Sequence, residues 1–280
     1  MLEFKNVSYI YGKKTPFEKV AVKDISITIK DDAVTGLIGH TGSGKSTVAQ
    51  LMNSLIKPTS GTVLLDGKDI NAKDYNTPSV RFDVGLVFQY PEYQLFEDTV
   101  YKDIAYGPKN MGLSDEDIDE RVHYAAHFTG ISRDLFDKSP FELSGGQKRR
   151  VAIAGVVAMD PKILVLDEPA AGLDPKGRNE ILSGLCDFRK KRGNSLVIIS
   201  HSMEDIAVYS DEIIAMSDGK VLISGTPEEV FSQSELLTSN GLNIPQVTEV
   251  LVKLKKMGID IKENKYTVEA AYEELMKKFR

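Results

Sequence analysis

Apolar and polar residues alternate from Leu2 to Tyr11 and again from Ala21 to Ile29, where Val22, Ile25, Ile27 and Ile29 are the apolar members. A period of two predicts antiparallel strands with one buried face. A loop, Gly12 to Lys19 with Thr15-Pro16-Phe17 inside it, separates them. The pattern then changes. Val34 to Ile38, Val84 to Phe88, Ile163 to Leu166 and Leu196 to Ile199 are short and almost wholly apolar, which predicts central strands of a parallel sheet covered on both faces. Pro58-Thr59-Ser60-Gly61 and Asp66-Gly67 bracket a further strand, Thr62 to Leu65, and Ile213 to Met216 with Lys220 to Ser224 reads as an edge hairpin turning at Asp218-Gly219.

Helical spacing fills the intervals. Thr47 to Met52 follows the first apolar run, and Lys148 to Met159, Lys176 to Lys191 and Met203 to Tyr209 accompany the later ones. From Tyr90 to about Ser139 the character is helical, with Ser114 as N-cap and Ile118, Val122, Ala125 and Ala126 on one face up to Gly130. Beyond Gly225-Thr226-Pro227 the chain turns polar, with two short helices predicted at Pro245–Met257 and Thr267–Phe279. The expected architecture is α/β: a main domain over 1–235 with an antiparallel β subdomain and a helical subdomain at about 90–160, then a helical appendage over 236–280. No internal repeat is visible.

A chain of 280 residues with 41% hydrophobic side chains can bury one large core plus a small appendage. A net charge of −6 argues against a general nucleic-acid binder. Cys186 is the single cysteine, so no internal disulfide is expected and a reducing compartment fits. The opening lacks a secretory pattern, and the longest apolar stretch, Val151 to Met159, falls short of the roughly 20 residues that span a bilayer. A soluble or peripheral protein is the expectation.

Candidate chemistry begins at Gly39-His40-Thr41-Gly42-Ser43-Gly44-Lys45-Ser46, between an apolar run and a helix that starts with Thr47. Glycines let backbone N–H groups approach a phosphate, and the helix start adds the positive end of its dipole. Lys45 offers a point charge to the outer phosphates and Ser46 a hydroxyl to Mg²⁺. This is a nucleoside-triphosphate loop in its required strand–loop–helix setting. Asp167 and Glu168 end the apolar run Ile163 to Leu166, where the first can hold Mg²⁺ and the second can polarise a water. Leu143-Ser144-Gly145-Gly146-Gln147 opens a further helix and forms a second anion cradle. Two such cradles are redundant in one site, unless the second closes over the nucleotide of a neighbouring molecule.

These three elements, in this order, resemble the ATP-binding cassette family over about Leu2 to Ser232. The resemblance implies a P-loop ATPase core and gives roles to residues that would be unremarkable alone. Gln89 matches the glutamine near Mg²⁺ and the attacking water, and His201 the histidine at the γ-phosphate. Asp174 matches the aspartate of the dimer interface, and Tyr11, with Tyr9 as neighbour, the aromatic against adenine. Taken singly, Gln89 reads as a strand end, Asp174 as a turn former before Pro175 and His201 as a helix cap. Other candidates do worse. His123 and His127 read as a solvated flank, Cys186 as a packed thiol, and Arg189 to Arg192 as charge suited to a helix end.

The interval from Gln89 to Leu143 carries no sustained heptads, unlike cassette ATPases that act on DNA. It runs Gln89-Tyr90-Pro91-Glu92-Tyr93-Gln94-Leu95-Phe96-Glu97-Asp98-Thr99-Val100 and on to Tyr106-Gly107-Pro108, which closely resembles the ATPases of energy-coupling factor transporters. Thr15 to Lys19, Gly39 to Gly42 and Ala170 to Arg178 are similar to the second of the two paired ATPases, with Ala170 where threonine is usual. The resemblance implies a second ATPase subunit, related or identical, and a transmembrane scaffold with a membrane protein that captures a vitamin or a metal ion. It also implies a place on the cytoplasmic face of the membrane, no nucleic-acid partner, and ATP with Mg²⁺ at the site. Glu92, Glu97 and Asp98, three acids within seven residues, are expected to receive basic side chains of the scaffold. An exporter ATPase is the nearest rival.

Overall fold

The computed structural model describes every residue except Asp74, Asn76, Glu263 and Arg280. In chain order the elements are β1 (Leu2–Tyr11), β2 (Lys19–Ile29), β3 (Val34–Gly39), α1 (Lys45–Met52), β4 (Ser60–Leu65), β5 (Lys68–Asp69), α2 (Thr77–Asp83) and β6 (Val84–Val87). There follow α3 (Val100–Asn110), α4 (Asp115–Thr129), α5 (Gly145–Val157), β7 (Ile163–Asp167), α6 (Pro175–Arg192), β8 (Ser195–Ile199) and α7 (Met203–Tyr209). The chain ends with β9 (Glu212–Ser217), β10 (Lys220–Gly225), α8 (Pro227–Phe231), α9 (Ser234–Ser239), α10 (Gln246–Lys256) and α11 (Val268–Phe279).

The alternating segments form an antiparallel sheet of order β2-β1-β4-β5, with Leu2 opposite both Ile29 and Leu65. The apolar runs form a second sheet of order β10-β9-β3-β8-β7-β6, parallel except for the antiparallel edge strand β10. Because side chains alternate along a strand, β7 splits its residues between two cores. Ile163 and Val165 face α1 and the antiparallel sheet, packing with Val48, Leu51, Met52, Phe4 and Ile27. Leu164 and Leu166 face the helices, packing with Val151, Ala154, Leu182 and Phe188. Burial on both faces explains why this strand reads as a continuous apolar run.

Helix boundaries follow cap chemistry. The Ser114 hydroxyl accepts from Asp117 N–H and Gly130, left-handed, closes α4. Ser144 and Gln147 form a reciprocal capping box at the start of α5, which therefore begins at Gly145, three residues before the sequence pattern suggests. The pattern missed α2, α8 and α9. In α8 the missed signal is Thr226-Pro227-Glu228-Glu229, whose Thr226 and Glu229 make a second capping box. The division near Leu236 is displaced as well: Leu237 and Leu242 pack into the main core, while a separate small cluster holds Leu251, Ile261 and Ala271. Among the described residues no helix is long and apolar enough to cross a membrane.

Candidate active site

The parallel sheet delivers its chemistry at the ends of β3, β6, β7 and β8, the edge at which open α/β sheets hold ligands. The loop after β3 turns through Gly42 and Gly44, both in the left-handed region, with Gly44 serving as the N-cap of α1. A Cβ at Gly44 would stand 2.6 Å from the Ala21 carbonyl oxygen, so only glycine fits. Buried Lys45 crosses the loop and donates to the carbonyls of Gly39 (2.7 Å) and His40 (3.0 Å). Burial holds its ammonium below the usual lysine range, against the pull of Asp167 and Glu168. The Ser43 hydroxyl is buried inside the loop without a protein partner. A cleft of about 170 Å³ opens over this loop, lined by Tyr11, Lys19, Ala21, Gly42 and Lys45 to Thr47. Tyr11 hydroxyl and Thr47 Oγ1 lie 3.3 Å apart, which sets the ring at the rim, edge-on to Tyr9. His40 turns away, its Nδ1 2.9 Å from the Thr41 carbonyl and its Nε2 3.8 Å from Asp218. Thr41 belongs to the loop by position only.

Ser46 donates its hydroxyl to Asp167 at 2.9 Å, which joins the α1 start to the end of β7. Burial raises the Asp167 carboxyl above the ordinary range, with Ser46 and Lys45 pulling the other way. Glu168 takes a left-handed backbone (φ 55°), and its N–H donates to the Ile199 carbonyl of β8. A non-glycine residue is held there only when its surroundings impose it. Its carboxyl is 12% exposed, Oε1 has no hydrogen-bond partner, and His201 Nε2 stands 3.6 Å away. Desolvation, and then the Asp167 charge, push Glu168 up to about 7. His201 is half-exposed, and burial together with Lys45 lowers its pKa. The register of β6 on β7 pairs Val87 with Leu166, so exposed Gln89, two residues on, follows the strand end beside Asp167 and Glu168. The donor set Ser46, Asp167 and Gln89 is all hard oxygen, which suits Mg²⁺. Removal of water, one base and one cation at a phosphate loop is the equipment for in-line attack on a γ-phosphate.

The cradle Leu143 to Gln147 is elsewhere. It opens α5 in the helical subdomain, and none of its residues lines the cleft over Gly39 to Thr47. No atom stands within 4 Å of where a Cβ on Gly145 would lie. Asp174 caps α6, its carboxylate accepting from Gly177 N–H at 2.9 Å. Within one chain the cradle Leu143 to Gln147 and the cleft over Gly39 to Thr47 are separate.

One expectation needs revision. Glu92 is not a free acid on an acidic surface, because Arg149 of α5 donates to it through Nε (3.1 Å) and Nη2 (2.9 Å). The Arg149 side chain is 4% exposed and the Glu92 side chain 17%, so the pair is internal. Asp98 is exposed and pairs with Lys102, and Glu97 is half-buried with its N–H on Asp103. Beside Asp98 the exposed surface is aromatic: Tyr90, Tyr93, Phe96 and Tyr106 are all more than 40% exposed. Phe96 and Tyr106 meet edge-to-face at the mouth of a groove of about 280 Å³ between α3 and α5. Arg149 and buried Asp103 had no signal in the sequence, since a charge within a helix or just after an acidic loop reads as solvated. The dismissed histidines hold no joint site either: His123 faces Asp119 and Phe136, and His127 lies against Phe128.

Comparison with known proteins bears on the family and the fold. The family profile described as ABC transporter matches residues 22–171. The chain is 52% identical over 279 residues to the energy-coupling factor transporter ATP-binding protein EcfA2 of Caldanaerobacter subterraneus subsp. tengcongensis, covering all of this chain and 98% of that protein. It is 50% identical to EcfA2 of Clostridium tetani, covering 99% and 97%. Among solved structures, cbiO1 from Clostridium perfringens, part of the transporter complex cbiONQ, is 39% identical with a TM-score of 0.76, covering 89% of this chain and 98% of that one. A dimeric ATP-binding cassette, MJ0796, bound to ADP and Pi after hydrolysis, gives 28% identity and a TM-score of 0.73, with 81% and 99% covered.

Proposed function

The chain belongs to the ABC transporter family of ATPases, and from that premise we propose that it is the second ATPase subunit of an energy-coupling factor importer for vitamins or related micronutrients. It hydrolyses ATP to ADP and phosphate and couples that step to transport. The observation that carries the catalytic reading is the contact chain Ser46–Asp167, Glu168–His201 and Lys45, gathered at the ends of three adjacent strands.

In this reading ATP lies on Gly39 to Thr47, with Tyr11 beside the base. Lys45, now holding the carbonyls of Gly39 and His40, is positioned to exchange them for β- and γ-phosphate oxygens. Ser46 and Asp167 would hold Mg²⁺, with Gln89 at its edge, and the cation would neutralise charge developing on the phosphate oxygens. Glu168 takes a proton from the attacking water, for which its desolvated carboxyl, raised to about 7, is suited at neutral pH. His201, beside Glu168, donates to the γ-phosphate.

A second cassette subunit, through its own segment equivalent to Leu143 to Gln147, completes the half-site here, and this chain's Ser144, Gly145, Gly146 and Gln147 return the contact. Asp174 lies at that interface. The scaffold is read as docking at the Phe96–Tyr106 groove with Glu97 and Asp98 at its rim, on the cytoplasmic face of the membrane. The appendage, whose Val250, Met257, Val268, Tyr272 and Phe279 are exposed, is read as a further pairing surface between the ATPases.

The test is reconstitution. The tagged chain, purified from membranes with its complex, should bring down a scaffold and a substrate-capture protein, and the vesicles should accumulate a vitamin or ion only with ATP. Association with a two-domain exporter, or ATP-driven efflux, refutes the import reading.

A further inference from the structure

Two helix starts meet beside Glu168, and the site described above uses only their tips. At the first, the Asp174 carbonyl accepts Arg178 N–H at 2.9 Å while its carboxylate caps α6. At the second, His201 precedes Ser202, which donates its N–H to the Ser200 hydroxyl (3.0 Å) and accepts Asp205 N–H on its own hydroxyl (3.2 Å). The side chains one turn into each helix then face each other: Arg178 Nη1 lies 3.8 Å from Asp205 Oδ2. The Asp205 carboxylate is 12% exposed, and burial pushes it up against the pull of Arg178 and Ser202.

These contacts close a ring. Glu168 leads through the tight turn Ala170 to Leu173, where Ala171 N–H binds the Glu168 carbonyl at 3.2 Å, to Asp174. Asp174 leads to Arg178, Arg178 to Asp205, Asp205 through Ser202 to His201, and His201 Nε2 faces Glu168 at 3.6 Å. All but the Arg178–Asp205 step is covalent chain, local backbone hydrogen bonds or the catalytic pair itself. Apart from the catalytic pair, that one step is the circuit's contact between two side chains.

We propose that Arg178 and Asp205 are positioning residues, whose ion pair locks the start of α6 to the start of α7 so that displacement of the Asp174 turn is delivered to His201 and Glu168. Neither residue lines the cleft over Gly39 to Thr47. The proposal rests on the reading that Glu168 and His201 act in hydrolysis. Loss of stability leaves the rate of the folded, assembled complex unchanged, whereas misplacing a reacting group by about 1 Å can cost about a hundredfold in rate. Kinetics therefore separates the two roles.

The experiment uses the assembled transporter carrying Arg178→Ala, Asp205→Asn, Arg178→Lys, the single reversals Arg178→Asp and Asp205→Arg, or the exchanged pair that combines those reversals. The expected result is a kcat lower by about tenfold in the first two with KM for ATP within about twofold. Arg178→Lys keeps most of the rate, and the exchanged pair recovers most of what either single charge reversal loses. The proposal is overturned by a kcat within twofold of the parent in Arg178→Ala, by a loss confined to KM, or by a kcat loss that neither Arg178→Lys nor the exchanged pair restores. Glu168→Gln in the same complex reads the premise separately: if that variant turns over at the parent rate, the catalytic assignment has failed rather than the pair.

Discussion

Replacing Glu92 by alanine tests how the segment after Gln89 is held. The carboxylate of Glu92 meets Arg149 through two nearly parallel donors at 3.1 and 2.9 Å, on a guanidinium only 4% exposed, whose Nη1 has no protein partner. Removing the acid leaves a buried cation with no counter-charge. Breaking one side of such a pair costs about 3–5 kcal/mol, against the roughly 1 kcal/mol or less expected of a surface acid. For a chain of this size each kcal/mol moves a melting midpoint by about 2–4 °C, so Glu92→Ala should melt about 10 °C below the parent. Glu92→Ala combined with Arg149→Met, which removes both charges and keeps the apolar stem on α5, should recover most of the loss. Differential scanning calorimetry on the purified complex reads both. A Glu92→Ala variant that melts within about 1 °C of the parent, yet loses its scaffold, would return Glu92 to a docking role and refute the internal-pair argument.

Four further outcomes follow from the same geometry. Lys45→Ala should weaken ATP binding by about tenfold to a hundredfold, the value of charge-assisted hydrogen bonds, measured by calorimetric titration in the presence of Mg²⁺. Gly44→Ala should abolish binding in the same titration, because its φ of 104° and the 2.6 Å approach to Ala21 leave no room for a Cβ. The kcat/KM for ATP should rise with pH and level off above about 7, the value to which burial and Asp167 push Glu168 in the free chain. Mg²⁺ brought with ATP should move the limb seen in kcat lower. Stability in the absence of nucleotide should run the other way: a carboxyl raised from 4.5 to about 7 stabilises the fold below its unfolded pKa and loses that contribution as pH rises through about 7. Glu168→Gln should flatten that slope and raise the melting midpoint at pH 8.

Much of this was legible in the residues because the chemistry is local. The loop Gly39 to Ser46 needs glycines, a lysine and a hydroxyl in consecutive positions, whereas the sequence pattern passes over the Ser144–Gln147 capping box and starts α5 three residues late. Strands β3, β7 and β8 advertised themselves by burial on both faces. What was hidden depends on partners distant in sequence. Nothing near Glu92 announces Arg149, 57 positions on, and nothing near Asp205 announces Arg178. A charged residue one turn into a helix is usually solvated, so neither pair could be told from ordinary surface until α5 met the Gln89 segment and α6 met α7. Leu237 and Leu242 were misplaced for a related reason: a polar neighbourhood concealed two side chains that reach back into the main core.

The central claim is that this chain itself hydrolyses ATP, at a half-site that Glu168 activates and another subunit's cradle completes. The measurement is the ratio of ADP to ATP photocrosslinked to this chain after one turnover of azido-ATP in the assembled transporter. Parent complex should retain ADP on this chain. Glu168→Gln should bind the label as tightly and hold it as ATP, with conversion slower by about a hundredfold or more. Conversion to ADP at the parent rate on the Glu168→Gln chain would contradict the account.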